Sequence, residues 1–330
     1  MNLTEFNQSD RCVHFSCPER SVSPAVYILL YVCSAAVVLL TMCGNLLVII
    51  SVFHFKQLHT PSNILVVCLS VLDFLIGIFV MPPMLIWTIE SCWIFGRVFC
   101  TIYWLMTSFL SISTYTVAQI AVDRYLALSN PFLYINIVSV RFTCFVIGVN
   151  WAVVVVYGLA LFVFNGNFTS FVMCPGECFL FENEVWTVID IIYLFIFPLF
   201  VIIILYTRVF VVAKKHATAI RELNNHPQPK TQKITPHSMK SERKAAKVLG
   251  ILVSVFLMCL IPYFICCFLS SIVTIQAETI RKVIIIVCLN STVNPFIYAL
   301  FYPWFRRCAK LIISLRIFHT DSSLIKIQKK

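Results

Sequence analysis

Seven apolar stretches divide the chain, at about 25–52, 62–86, 98–124, 141–164, 185–212, 245–270 and 281–302. Each is long enough to cross roughly 30 Å of hydrocarbon, which takes about 20 helical residues. The runs far exceed the length of a membrane strand, so helices are expected rather than a barrel. The pattern predicts an all-α membrane protein, a seven-transmembrane helix bundle that uses nearly the whole chain. A polar segment, about 213–243, separates the fifth and sixth spans and contains Pro227, Pro229 and Pro236. After Pro303 the pattern changes: Trp304-Phe305-Arg306-Arg307-Cys308-Ala309-Lys310-Leu311 is basic and amphipathic. It suits a short helix lying along the inner membrane surface. Cys308 is either a palmitoylation site or a plain cysteine.

Composition agrees with this reading. Of the 330 residues, 60% are hydrophobic and 12% charged, against about 25% charged in a soluble protein. The charge distribution sets the orientation. Arg11, Arg20, Arg97, Arg281 and Lys282 precede the first span or lie in the 2–3 and 6–7 connections. The other basic residues, including Lys56, Arg124, Arg141, Lys214, Lys247 and Arg306, fall on the opposite side. Positive charge marks the cytoplasmic face, so the amino terminus is expected outside. The net charge of +11 is then a membrane bias, and nucleic acid is not an expected partner. The first 24 residues are polar and show no cleavable signal; the first span can direct insertion.

The expected outer segments carry matching chemistry. Asn2, Asn7 and Asn167 each open an Asn-x-Ser/Thr glycosylation sequon. Asn290-Ser291-Thr292 matches the same pattern inside a span, a reminder that the motif is weak alone. Most of the fifteen cysteines lie in spans and act as small apolar residues. Cys100, Cys174 and Cys178 lie outside, where an oxidising environment permits pairing.

Polar islands recur once per span. Gly44-Asn45, Leu69-Ser70-Val71-Leu72-Asp73, Asp123-Arg124-Tyr125, Trp151, Pro198 with Tyr206, Pro262 and Asn294-Pro295-Phe296-Ile297-Tyr298 follow in order. Arg124 is always charged and needs a partner; Asp123 can hold it, and Glu242 at the start of the sixth helix is a second candidate. Asp73 lies deep in the bilayer, at a cost of about 2.5–3.5 kcal/mol on insertion scales. Ser113, Asn290, Ser291 and Asn294 are well placed to surround it. Asp190, on the fifth span, lies eight residues before Pro198, or about 12 Å nearer the outside at 1.5 Å per residue. No Lys or Arg in the outer half of any span can neutralise it. An orphan carboxylate at that depth asks for a cation, unless it faces water or is held by hydroxyls.

These islands, in this order, resemble the rhodopsin-like (class A) G-protein-coupled receptors. The run Asn290–Phe305, NSTVNPFIYALFYPWF, is similar to the fingerprint of one family, the trace amine-associated receptors. Cys174-Pro175-Gly176-Glu177-Cys178 and the start of the sixth helix at Lys240–Lys247 support that likeness. The resemblance implies a tail at 1–24, a receptor domain at 25–302 and a cytoplasmic segment at 303–330. It implies that Cys178 bonds to Cys100 and Cys174 to the tail, with Cys17 first and Cys12 the alternative. It implies that Arg124 keeps the cytoplasmic face closed, together with Asp123 and Glu242. Tyr206, Asn294, Pro295 and Tyr298 would take part in opening it. The polar cluster of Asp73, Ser113, Asn290 and Asn294 would hold an allosteric sodium ion, or else a water-filled network without sodium. No other cofactor is implied.

The chain also departs from the family pattern. Amine receptors usually carry an aspartate in the outer half of the third helix. Counting back 18 residues from Arg124 gives Met106, and forward seven from Cys100 gives Thr107. Neither is acidic. A branch of the family has lost that aspartate and gained one on the fifth helix, where Asp190 stands. Tyr263 and Phe264, just outside Pro262, offer aromatic faces to an ammonium; Trp104, Thr107 and Ser108 are weaker candidates. Cys288 and Leu260 take the places of a common tyrosine and tryptophan.

The expected function is therefore a plasma-membrane receptor for volatile or biogenic amines, olfactory, signalling through a stimulatory heterotrimeric G protein and cyclic AMP. Arrestin and a receptor kinase are further implied partners. Glu177, Glu182 and Glu184 near the entrance leave diamines among the expected ligands. The alternative is a class A receptor for a non-amine ligand, with Asp190 structural. A light receptor would need a lysine within the seventh span, and only Lys282 at its edge is present. A transporter is disfavoured by the lack of an internal repeat, and no nucleophile–base pair or metal cluster supports an enzyme.

Overall fold

The computed structural model describes residues 23–164, 176, 178, 188–189, 191–225, 236–270 and 277–318. Seven long helices run through it: α1 (Pro24–His54), α2 (Pro61–Glu90), α3 (Gly96–Ser129), α4 (Val140–Phe164), α5, α6 (Pro236–Ser270) and α7 (Ala277–Phe301). α5 opens as a π turn, Ile191–Ile196, and continues as Phe197–Asn225. A short helix, Pro131–Ile137, lies between α3 and α4, and α8 (Pro303–Ile313) follows α7. Among the described residues, six helices are long and apolar enough to span a bilayer, with a shorter apolar stretch at Gly250–Cys266 in α6. Leu29, Val32, Phe53, Phe145, Val156, Phe200, Phe210 and Met258 are exposed on the outside of the bundle, as lipid requires.

α5 and α6 overrun the polar boundaries read from hydropathy. α5 continues to Asn225 and α6 begins at Pro236, so part of the expected 213–243 loop is helical. Hydropathy marks where lipid ends, whereas Ala, Lys, Glu and Arg in these segments favour helix in water.

Proline shapes α2. Pro82 and Pro83 cannot donate to the carbonyls four residues back, and a π turn at Ile76–Val80 precedes them. Two apolar clusters fill the bundle. The outer one contains Ile76, Met81, Met84, Trp87, Trp93, Tyr103 and Cys288. The inner one joins Val48, Val52, Phe55, Leu69, Val117, Leu252, Phe256 and Tyr298 to Trp304, Phe305 and Cys308 of α8. α8 thus buries its apolar face against the inner end of α1. Arg306 donates to the carbonyls of Ala299 and Leu300 at 2.9 and 2.7 Å, capping the end of α7.

α1 and α7 meet closely. Thr41 and Thr292 share a hydrogen bond of 2.6 Å, and Asn45 Nδ2 donates to the Ser291 carbonyl at 3.0 Å. At Gly44 the approach is tight enough that an added Cβ would stand 2.8 Å from Pro295 Cβ and 2.9 Å from its Cγ. A proline ring cannot swing away, so the helices themselves would have to part. Gly44→Ala is expected to cost about 1–3 kcal/mol, as overpacking does. Detergent-solubilised protein should melt several degrees lower, with less receptor at the cell surface.

Candidate functional site

Asp73 is fully buried inside the bundle, among polar side chains of α2, α3 and α7. Asn294 Nδ2 donates to its Oδ2 at 2.7 Å, and Ser291 stands beside the same carboxylate. Ser113 and Asn290 join Ser291 around a small cavity of about 10 Å³, lined also by Phe256, Cys259 and Leu260. That is about the room one water needs. Asp73 Oδ1, Ser70 Oγ, Asn290 Oδ1 and Asn294 Oδ1 are buried without a hydrogen-bond partner among the described residues. Oxygen atoms this deep are costly to leave unsatisfied. A carboxylate with neutral oxygens suits a hard monovalent cation or a few ordered waters.

The carboxyl-terminal end of α3 holds a second polar centre. Arg124 donates to Asp123 Oδ2 through Nε at 3.0 Å and Nη2 at 2.5 Å. The same oxygen accepts from Ser62 of α2 at 2.8 Å, while Oδ1 accepts from Tyr134 of the short loop helix at 2.8 Å. Asp123 therefore ties α2, α3 and the loop helix together as well as holding the arginine. Burial and the Asp123 carboxylate push the Tyr134 phenol above its ordinary value, so it remains a donor. Ser62 and Tyr134 were not singled out from the sequence. A serine and a tyrosine give no signal until the fold brings them within reach. The side chain of Glu242 lies outside the described residues.

Tyr298 is fully buried on α7, its ring centre 6.1 Å from that of Tyr302. Tyr206 on α5 lies against α6 at Gly250, where an added Cβ would fall 1.8 Å from its hydroxyl. Gly250 is thus what admits Tyr206, a role that one glycine in an apolar helix does not advertise.

At the outer end, Cys100 and Cys178 are disulfide-bonded, with Cα atoms 5.7 Å apart. Trp93 N also donates to the Gly176 carbonyl at 2.6 Å. Trp93 packs among Trp87, Phe95, Phe99 and Tyr103. Its indole donates to the Gly96 carbonyl at 2.8 Å, a turn that needs the positive φ of Gly96. Cys92, beside Trp93, is also disulfide-bonded, which sequence reading did not foresee.

Of the expected ligand contacts, Met106 packs with the outer cluster. Thr107 donates its hydroxyl to the Trp104 carbonyl at 2.6 Å. Tyr263 and Phe264 are half-buried on α6, edge to face at 5.1 Å. Asp190, Cys12, Cys17, Cys174, Asn2, Asn7 and Asn167 lie outside the described residues.

Seven helices with these polar centres define a class of signalling protein, and comparison with known proteins names it. Residues 44–298 match the family model for the 7 transmembrane receptor (rhodopsin family). Trace amine-associated receptor 13c of Danio rerio is 36% identical over 99% of this chain and 98% of its own length. Trace amine-associated receptor 1 of Macaca mulatta is 35% identical over 96% of each chain, and receptor 8a of Rattus norvegicus is 38% identical over 96% and 94%. The chain is a rhodopsin-family seven-transmembrane receptor. Within that class it belongs to the trace amine-associated receptors, which makes it a multi-pass membrane receptor and not an enzyme.

Cys308 is fully buried against α1, with Ser51 beside its thiol, and burial pushes that thiol up to about 12. A thiol so placed favours the plain cysteine of the two readings. Cys308→Ser should leave metabolic labelling with a palmitate analogue unchanged, and a maleimide should reach Cys308 only after unfolding.

Proposed function

We propose that the receptor binds an extracellular amine through Asp190 and passes the signal to a stimulatory heterotrimeric G protein, raising cyclic AMP. We assign it an olfactory role at the plasma membrane, with its amino terminus outside. The observation that carries this reading is the charge inventory of the spans. Asp190 is an acid in the outer half of the fifth span with no basic residue of that half to neutralise it. The relatives that match along nearly the full length are named for trace amines. The usual anchor position on α3 is held by Met106 or Thr107, neither of which offers a negative charge. An ammonium shared between a carboxylate and the rings of Tyr263 and Phe264 gains both a charge pair and cation–π attraction.

The cytoplasmic face supports a G protein as the partner. Phe132 is 84% exposed and Ile135 76% exposed on the loop helix directly beside the Asp123 centre. These apolar side chains, next to the arginine that would be freed on activation, form a surface for a protein partner. Arrestin and a receptor kinase would meet the same face.

Cells carrying a cyclic AMP reporter should respond to at least one member of a panel of volatile and biogenic amines. Asp190→Asn should abolish that response while surface expression persists. An unchanged dose–response curve would instead leave a receptor whose ligand is held elsewhere, with Asp190 structural.

We also propose that the Asp73 centre holds a sodium ion that favours the inactive state. Asp73, Ser113, Asn290 and Asn294 would supply its oxygens, and bound sodium would supply positive charge to the buried carboxylate. Raising sodium at constant ionic strength should weaken agonist binding several-fold in the native receptor. Asp73→Asn should remove that dependence. If the native receptor shows no sodium effect, the centre is a hydrated network.

A further inference from the structure

α1 is fixed to the rest of the bundle at two places and stands off between them. Towards the disulfide-bonded end, the phenols of Tyr27 and Tyr31 both donate to Glu90 Oε1 of α2, Tyr31 at 2.5 Å. Ten residues beyond Tyr31, Thr41 bonds Thr292, and close by Asn45 bonds the Ser291 carbonyl and Gly44 admits Pro295. The stretch between is about 15 Å long at 1.5 Å per residue. Along it, Cys33 and Ser34 face Met81 and Met84 of α2 and Ile285 and Cys288 of α7 across a cavity of about 240 Å³. Hydrogen bonds that lipid cannot replace pin both ends, so α1 cannot tilt inward to close the gap. Cys33, Ser34 and Cys288 are too short to cross it. Leu30 and Cys33, which form part of the wall, are exposed on the outside of the bundle. The mouth of the cavity therefore faces the bilayer.

The walls are apolar and yielding, since methionine and cysteine adapt their shape to what they pack against. An apolar cavity of about 150 Å³ already stays dry, so water is a poor occupant here. A void of this size would also forfeit dispersion contacts on every wall. The occupant at hand is lipid. Polar groups gather towards one end: Ser34 offers a hydroxyl on the wall, and Tyr31, about one turn nearer the disulfide-bonded end, meets Glu90. Arg281 of α7 lies over the Trp87 ring at 5.1 Å, so that rim carries both signs of charge. Such a rim suits a small neutral head with one hydroxyl rather than a phosphate. A flat apolar body with a single hydroxyl at its end is a sterol. We propose that the cleft between α1, α2 and α7 is a sterol site. The rings lie against Met81, Met84 and Ile285, and the hydroxyl points towards Ser34 and the Tyr31–Glu90 bond. Seated there, the sterol braces α1 against α7 where the two helices do not otherwise meet.

Full-length receptor in phosphatidylcholine nanodiscs that carry a photoreactive, clickable sterol tests this. Irradiation should label peptides covering residues 30–37 and 285–289 saturably, and unlabelled cholesterol should compete the label away. Ser34→Phe, which places a ring in the cavity, should lower that labelling severalfold while surface expression and label elsewhere persist. Adding cholesterol to the nanodiscs should raise the melting temperature of the native receptor by a few degrees and leave that of Ser34→Phe unmoved. Label spread evenly around the lipid-facing surface, or label that cholesterol does not displace, overturns the proposal. Equal labelling in Ser34→Phe and the native receptor overturns it too. So does labelling of the same peptides by a photoreactive phosphatidylcholine that cholesterol cannot displace, which would assign the cleft to an acyl chain. The peptide map is read on the native receptor, so it judges the site even if Ser34→Phe fails to fold. No step uses an amine, so this site and the amine reading stand or fall separately.

Discussion

Hydrocarbon offers no hydrogen bonds, so a helix that carries a carboxylate or an amide into the bilayer must turn it towards another helix. Asp73 and Asn294 meet that requirement with one 2.7 Å hydrogen bond, and the rest of the bundle is oriented by it. Once α2 and α7 face each other through this pair, Ser70, Asn290 and Ser291 also point inward. Asn45 and Thr41 then bring α1 against α7. The rotation of three helices about their axes is thereby set in the middle of the membrane. The apolar clusters above and below fill the space that this leaves. They add packing energy, but Leu and Val would pack nearly as well at other rotations, and a buried carboxylate would not.

Backbone irregularities do a different job from side-chain polarity. Pro82 and Pro83 follow a π turn in α2, and Pro198 follows one in α5. In each case the proline supplies no N–H to the carbonyls of the turn before it. Glycine acts where helices approach most closely: Gly44 makes room for Pro295, and Gly250 for Tyr206. Pro295 and Tyr206 are thus seated on glycines of neighbouring helices. Their freedom to move depends on residues that carry no chemistry of their own.

The two ends of the molecule are built for different tasks. At one end, the Cys100–Cys178 disulfide and the Trp93–Gly176 hydrogen bond tie Gly176 and Cys178 to the start of α3 and the 2–3 connection, where Cys92 is also disulfide-bonded. Arg281 of α7 stacks on Trp87 of α2 at 5.1 Å, and Glu90 accepts from Tyr27 and Tyr31 of α1. At the other end, there are no covalent ties among the described residues. There Asp123 accepts from an arginine, a serine and a tyrosine together. Contacts of that kind can be exchanged for others without breaking covalent bonds.

Much of this architecture was legible in the residues alone. Hydropathy marks the seven spans because lipid imposes a length and a polarity that few other sequences satisfy. Arg124, Asp73 and Asn294 stand out because charge and amide are expensive where they lie, and Asp190 stands out for want of a neutralising cation. What the sequence could not show is who meets whom. Ser62 and Tyr134 are unremarkable until folding sets both beside Asp123. Cys308 gives no sign in the sequence that it is buried against α1. Gly250 carries no signal in a string of apolar letters. The sequence determined which segments enter the membrane and which polar groups must be satisfied, because those follow from the local cost of transfer into lipid. Only the tertiary structure decided their partners, because a partner is chosen by helix rotation and close approach, which depend on every helix at once.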